Sequence, residues 1–151
     1  MSDLQKGLPL DVIRRVAEET NSYVLVRSWL FKLTGKWYPK TEITSILQKA
    51  LPKEAAYQTE IIKWLNRIYP GAFIWKATPG PYNRQGIPDI CAIIHGRFYG
   101  FEVKRPVLGE ATKIQKTTMR QIRSAGGIAA VVSTPAEVQK VIRESEKGEQ
   151  Q

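Results

Sequence analysis

A chain of 151 residues holds one compact domain and has too little material for two full-sized ones. With 42% hydrophobic and 25% charged residues it is not a disordered chain, and a lone Cys91 and a lone His95 exclude disulfides, multi-cysteine zinc sites and any chemistry that needs two imidazoles. The balance of 23 Lys and Arg against 14 Asp and Glu leaves +9, spread evenly, and such a domain most often meets a polyanion, nucleic acid first among them.

The first third reads as helical. Pro9 suits a first helical turn, and Leu10, Ile13, Val16 and Ala17 then follow the spacing of one buried stripe. Asn21-Ser22 can end that helix and cap the next, which holds Val24, Leu25, Trp29 and Leu30 and stops near Gly35, although 23–31 is apolar enough to be a strand instead. A third helix follows Pro39, with Ile43, Ile46, Leu47 and Ala50 on one face. Arg27 and Lys32 interrupt the longest apolar run, which falls short of the ~18–20 residues of a membrane helix. No basic–apolar leader opens the chain, so a cytoplasmic protein without membrane association is expected.

Pro52 marks a boundary, giving an N-terminal helical segment over 1–52 and a second part over 53–143. The second part opens with a helix from Glu54 to Tyr69, its core face formed by Ile61, Trp64, Leu65 and Ile68. Strands are expected at 72–77, at the continuous apolar run 90–94, and at 98–104, the last two joined by a tight turn at His95-Gly96. A helix over 113–125, a strand over 128–132 and a helix over 135–143 follow, and 144–151 reads as a frayed end. The order α-β-β-β-α-β-α makes an α/β protein with a mixed sheet and helices packed on it. The N-terminal helices are expected to cover a sheet face, because Trp29, Phe31, Trp37 and Tyr38 are many aromatics to leave exposed.

Within the hairpin, Asp89 lies at the start of one arm and Glu102 near the end of the other, so the turn brings them together. Glu102 and Lys104, two apart, project from one strand face. Two facing carboxylates repel and one pKa rises, a conflict that a divalent cation removes, and oxygen ligands of this kind suit Mg²⁺ or Mn²⁺. Read singly, Glu102 and Lys104 are better explained as a surface cross-strand pair and Glu60 as an ordinary solvated glutamate.

Gly86-Ile87-Pro88-Asp89 followed by Glu102-Val103-Lys104 resembles the PD-(D/E)xK nuclease motif, and more narrowly the virus-type replication–repair nuclease (VRR-NUC) domain. The resemblance spans about 54–143 and implies a restriction-endonuclease-like α-β-β-β-α-β core. It also implies an upstream helical glutamate, matched by Glu60, and a glutamine eleven residues before a glycine, matched by Gln115 and Gly126. Thr112-x-x-Gln115 also fits a helix-capping box, so Gln115 has two roles open to it. The implied activity is a Mg²⁺- or Mn²⁺-dependent DNA endonuclease acting on branched, flap or four-way (Holliday) junction DNA in phage or repair functions. Asp89, Glu102, Glu60 and the Val103 carbonyl would hold the metal, with Lys104 beside the attacking water. Family analogy adds a homodimer. The alternatives are a non-catalytic nucleic-acid-binding protein of the same fold and a protein-interaction subunit.

For DNA contact, Lys113, Lys116, Arg120 and Arg123 fall within an arc of about 80° on their helix, with Ile114, Ile122 and Ala125 opposite. Arg84 sits in the loop leading to Asp89, and Lys76 and Arg105 flank the same site in sequence.

Overall fold

A computed structural model describes residues 7–149. The chain divides into two units: the N-terminal stretch through Lys53 together with Arg105–Gly109, and Glu54–Lys104 together with the residues from Glu110 onward.

The first unit holds α1 (Leu10–Thr20), α2 (Tyr23–Thr34) and α3 (Lys40–Ala50). Asn21 ends α1 in the left-handed conformation, and the Ser22 hydroxyl accepts the Leu25 amide to start α2, which ends at left-handed Gly35. These helices bury their stripes within the unit, with Ile13, Ala17, Val26, Leu30, Ile43, Ile46 and Leu47 forming its core. On α2 the inward residues are Val26 and Leu30, while Val24 and Leu25 are exposed. That helix is apolar nearly all round, so its own sequence does not choose the face; packing does. Of the four aromatics singled out in this segment, two are sheltered by the unit's core and two are exposed. Tyr38 is buried, Trp29 is half-buried against the core, and Trp37 stacks on Phe31 at 4.3 Å with the Arg27 guanidinium 5.0 Å from its ring.

The second unit is a four-stranded sheet in the order β1-β2-β3-β4, built from β1 (Phe73–Lys76), β2 (Ile90–Ile94), β3 (Arg97–Val103) and β4 (Ile128–Val132). The first three strands pair antiparallel and β4 joins β3 parallel. A parallel neighbour needs a crossover, supplied here by α5 (Lys113–Ser124). The fold is therefore the mixed α/β architecture read from the pattern. His95 and Gly96 both have positive φ, as the two-residue hairpin requires.

Alternation sorts the sheet residues. Ile90, Ala92, Ile94, Tyr99, Phe101 and Val103 face a core shared with α4 (Glu54–Ile68) and α6 (Pro135–Glu149). On α4 the buried stripe is Tyr57, Gln58, Ile61 and Leu65, and Ile68 is exposed. On α5 the inward residues are Thr118 and Met119, and Ile114 is exposed. The C-terminal residues expected to fray stay helical through Glu149, while 150 and 151 lie outside the described residues.

Gly100 on β3 is covered by Pro88, whose Cγ would lie 2.8 Å from any Cβ added there. Gly100→Ala should therefore push away the residue that precedes Asp89 and cost about 1–3 kcal/mol. An unchanged urea midpoint in the variant would contradict this packing.

Candidate active site

The register sets Cys91 opposite Gly100, and extending it one repeat brings Asp89 beside Glu102 on the sheet face away from the α4 and α6 core. Asp89 is held at both ends. Its carbonyl accepts the Ala77 amide at 2.9 Å, and its carboxylate Oδ2 accepts the Val103 amide at 2.9 Å.

Glu102 is 1% exposed. Its Oε1 accepts from Gln115 Nε2 at 2.8 Å and lies 3.6 Å from the Lys104 ammonium. Its Oε2 is the one buried side-chain polar atom without a partner among the described residues. Burial first, then a hydrogen bond and charge repulsion from Asp89, push the Glu102 carboxyl up to about 8, with Lys104 pulling the other way. Without a cation, the pair holds together by keeping a proton that an isolated glutamate would lose.

Both roles open to Gln115 are realised in one side chain. Thr112 Oγ1 accepts the Gln115 amide at 3.2 Å, Gln115 Oε1 accepts the Thr112 amide at 2.8 Å, and Gln115 Nε2 goes to Glu102. The capping box thus fixes the amide orientation that reaches the carboxylate.

Glu60 is not brought to this cluster. It is exposed on α4, outside the stripe of Tyr57, Gln58, Ile61 and Leu65. The acidic residue of α4 that does act on the site is Glu54, whose charge contributes to the rise of the Glu102 pKa. Glu54 precedes Ile61 by seven residues and so lies in line with the buried stripe, itself half-buried. Extending that stripe back through Tyr57 to the first helical turn is the sequence signal that points to it.

The basic residues divide. Lys113, Lys116 and Arg120 are exposed along α5, with Lys116 3.5 Å from Glu110 and Arg120 bonded to Thr117. Arg123 instead donates twice to the Ala129 carbonyl, at 3.0 and 2.6 Å, and so works as a structural tie between α5 and β4. Lys76 pairs in register with Ile90, which puts it on the opposite sheet face from the carboxylates. Arg105 has its guanidinium on three main-chain carbonyls, those of Gln48, Leu51 and Pro52, and is thereby removed from the set available to phosphate. Arg84 donates to Gln121 on α5, which holds its loop across the site.

That loop and the start of α5 enclose a cavity of about 660 Å³ lined by Thr78, Asn83, Arg84, Asp89, Thr112 and Gln115. Among the described residues no three His, Cys, Asp or Glu side chains converge into a ready-made metal cage. Two carboxylates suffice for a hard ion that keeps several waters and takes further oxygens from its substrate.

The chain is similar to a VRR-NUC domain. The solved structure described as "VRR_NUC domain" is 25% identical, covers 58% of this chain and 95% of its own, and superposes with a TM-score of 0.44. No family profile and no curated protein matches the chain. No helix among the described residues is long and apolar enough to cross a membrane.

Between the ordinary Glu value of 4.5 and about 8, the folded chain keeps a proton on Glu102 that the unfolded chain has lost. Metal-free stability should therefore fall as pH rises through that window, and Glu102→Gln should remove this part of the slope. Thermal melting in EDTA from about pH 5 to about pH 8.5 checks this, with a relative loss of a few degrees expected for the parent chain. Parallel curves for parent and variant would contradict it.

Proposed function

We propose that this chain is a metal-dependent nuclease that hydrolyses phosphodiester bonds in DNA. The observation that carries the reading is the buried Glu102, one oxygen accepting from Gln115 and the other without a donor, beside the repelling charge of Asp89. A buried carboxylate oxygen without a partner is costly, and a divalent cation is the group that satisfies it while cancelling the repulsion between the two acids. Asp89, Glu102 and the Val103 carbonyl would hold Mg²⁺ or Mn²⁺, with the Glu54 charge adding to the negative potential around them. When bound, such an ion stabilises charge on the scissile phosphate and lowers the pKa of a coordinated water.

The chain's own residues supply the rest. The Val103 amide fixes the Asp89 carboxylate, and Gln115 fixes Glu102, so neither ligand has to be ordered when substrate arrives. Lys104, on the same strand face as Glu102 and only partly exposed, orients the attacking water and offsets negative charge as the phosphate becomes more crowded. Lys113, Lys116 and Arg120 present an exposed cationic row to the backbone.

Labelled single strand, duplex, flap and four-way junction, each with Mg²⁺, Mn²⁺ or EDTA, test the reading. Metal-dependent cutting is expected, and tight binding without cutting under any metal would overturn it. Asp89→Ala should lower cleavage by at least about 100-fold while leaving the DNA Kd within about threefold. Glu54→Ala should cost about tenfold or more and Glu60→Ala almost nothing. The reverse order would return Glu60 to the site. Replacing Lys113 and Lys116 together by Ala should flatten the salt dependence of DNA binding by about one unit of slope per lost phosphate contact.

A further inference from the structure

The loop that crosses the site starts and finishes at the same carboxylate. It leaves the sheet at Ala77, whose amide donates to the Asp89 carbonyl at 2.9 Å, and it returns at Asp89 itself. Its returning limb is fastened to α5. Arg84 donates to Gln121, and the Thr118 hydroxyl donates to the Gln85 carbonyl at 3.5 Å. Gly86 sits so close to the helix that an added Cβ would lie 2.7 Å from both Ile114 and Thr118, and its φ of 78° favours glycine as well. The tip is closed on itself. The Asn83 amide donates to the Gly80 carbonyl at 3.1 Å, with Pro81 next in the turn, and the Asn83 side chain donates to the Thr78 carbonyl at 2.7 Å. Thr78, Pro79 and Asn83 line the cavity that Asp89 also lines.

Between Pro81 and Asn83 stands Tyr82, 99% exposed, so its ring makes almost no contact with its own chain. In a slack loop such a ring would settle on nearby apolar surface, since an aromatic side chain buries about 150–250 Å² when it finds a partner. Here two prolines, the closed turn and the ties to α5 hold it off. We propose that Tyr82 is a substrate-binding residue whose ring stacks on an unpaired nucleobase at the mouth of the cavity. Inside a continuous duplex each base face is covered by its neighbours, and a ring arriving from the side meets only edges and backbone. The exposed Lys113, Lys116 and Arg120 supply the charge complement for the polyanion on the helix to which the loop is tied. Phosphate contact of that kind does not sense whether a base is paired, and Tyr82 does. The inference rests on the nuclease reading for its substrate and adds to it the residue that grips a base.

The test measures binding by the full chain in EDTA, for the parent, Tyr82→Ala and Tyr82→Phe. The probes are a single-stranded oligonucleotide and a relaxed, covalently closed circular duplex, which has no ends. Tyr82→Ala should weaken single-strand binding about tenfold and leave the circle within about twofold, while Tyr82→Phe keeps the ring and should bind as the parent does. 2-Aminopurine, placed at successive positions of the oligonucleotide, should lose fluorescence at one of them on binding the parent and keep it with Tyr82→Ala. Since the side chain is fully exposed, the variants should melt with the parent. Single-strand binding by Tyr82→Ala within twofold of the parent overturns the proposal. An equal loss on the circle overturns it too and makes Tyr82 a backbone contact. A changed oligomeric state with unaltered DNA binding gives the ring to a second copy of the chain instead, and a parent that binds neither DNA overturns the proposal outright. If the parent grips the single strand through Tyr82 yet cuts nothing with Mg²⁺ or Mn²⁺, the nuclease reading fails and this inference stands. If the parent cuts and Tyr82→Ala binds as well as the parent, the reverse holds.

Discussion

The burial of Glu102 is the constraint on which the rest of the site depends. A glutamate at 1% exposure needs partners for both oxygens, and the chain provides them for only one. To do even that, α5 must start where Gln115 can reach, and this requires Thr112 to cap it in the orientation observed. The parallel pairing of β3 with β4, extended by the Lys104 amide on the Val132 carbonyl at 2.9 Å, fixes the height at which Glu102 and Lys104 emerge. Gly100 lets Pro88 lie against the sheet, and Asp89 follows directly. The remaining oxygen is left for a proton or a cation, and the raised pKa is the mark of that choice.

Much of this was legible beforehand because it rests on short-range patterns. The β2 run and β4 were bounded to the residue by continuous apolar sequence between turn residues, and the hairpin followed from His95-Gly96. Once the hairpin is given, the meeting of Asp89 and Glu102 follows from alternation alone. Gln115 was harder, since a capping glutamine and an active-site glutamine look identical in sequence, and here the two oxygen and nitrogen ends of one amide perform both tasks.

The misses have physical reasons. Glu60 matches the upstream glutamate of the resemblance by position and helix context alone, and neither separates it from Glu54 on the first turn of the same helix. Basic residues were counted as surface charge, yet a guanidinium carries five donors and is well suited to gathering carbonyls. Arg105 and Arg123 are used in that way, and no periodicity distinguishes them from Lys113 or Lys116. On α2 apolar residues surround the helix, so only tertiary packing decides the face, and it buries Val26 and Leu30 rather than Val24 and Leu25.

The segment Arg105–Gly109 also makes the N-terminal unit discontinuous in sequence, with 51 residues of the other unit intervening between Lys53 and Arg105. During synthesis α1, α2 and α3 emerge first, but the carbonyls at the end of α3 and the acceptor on Asn21 wait for residues made after the whole β-hairpin. Closing that long gap carries a loop-entropy cost. The first unit to leave the ribosome is thus among the last to be completed, and its final consolidation coincides with the arrival of the strand that carries Glu102 and Lys104.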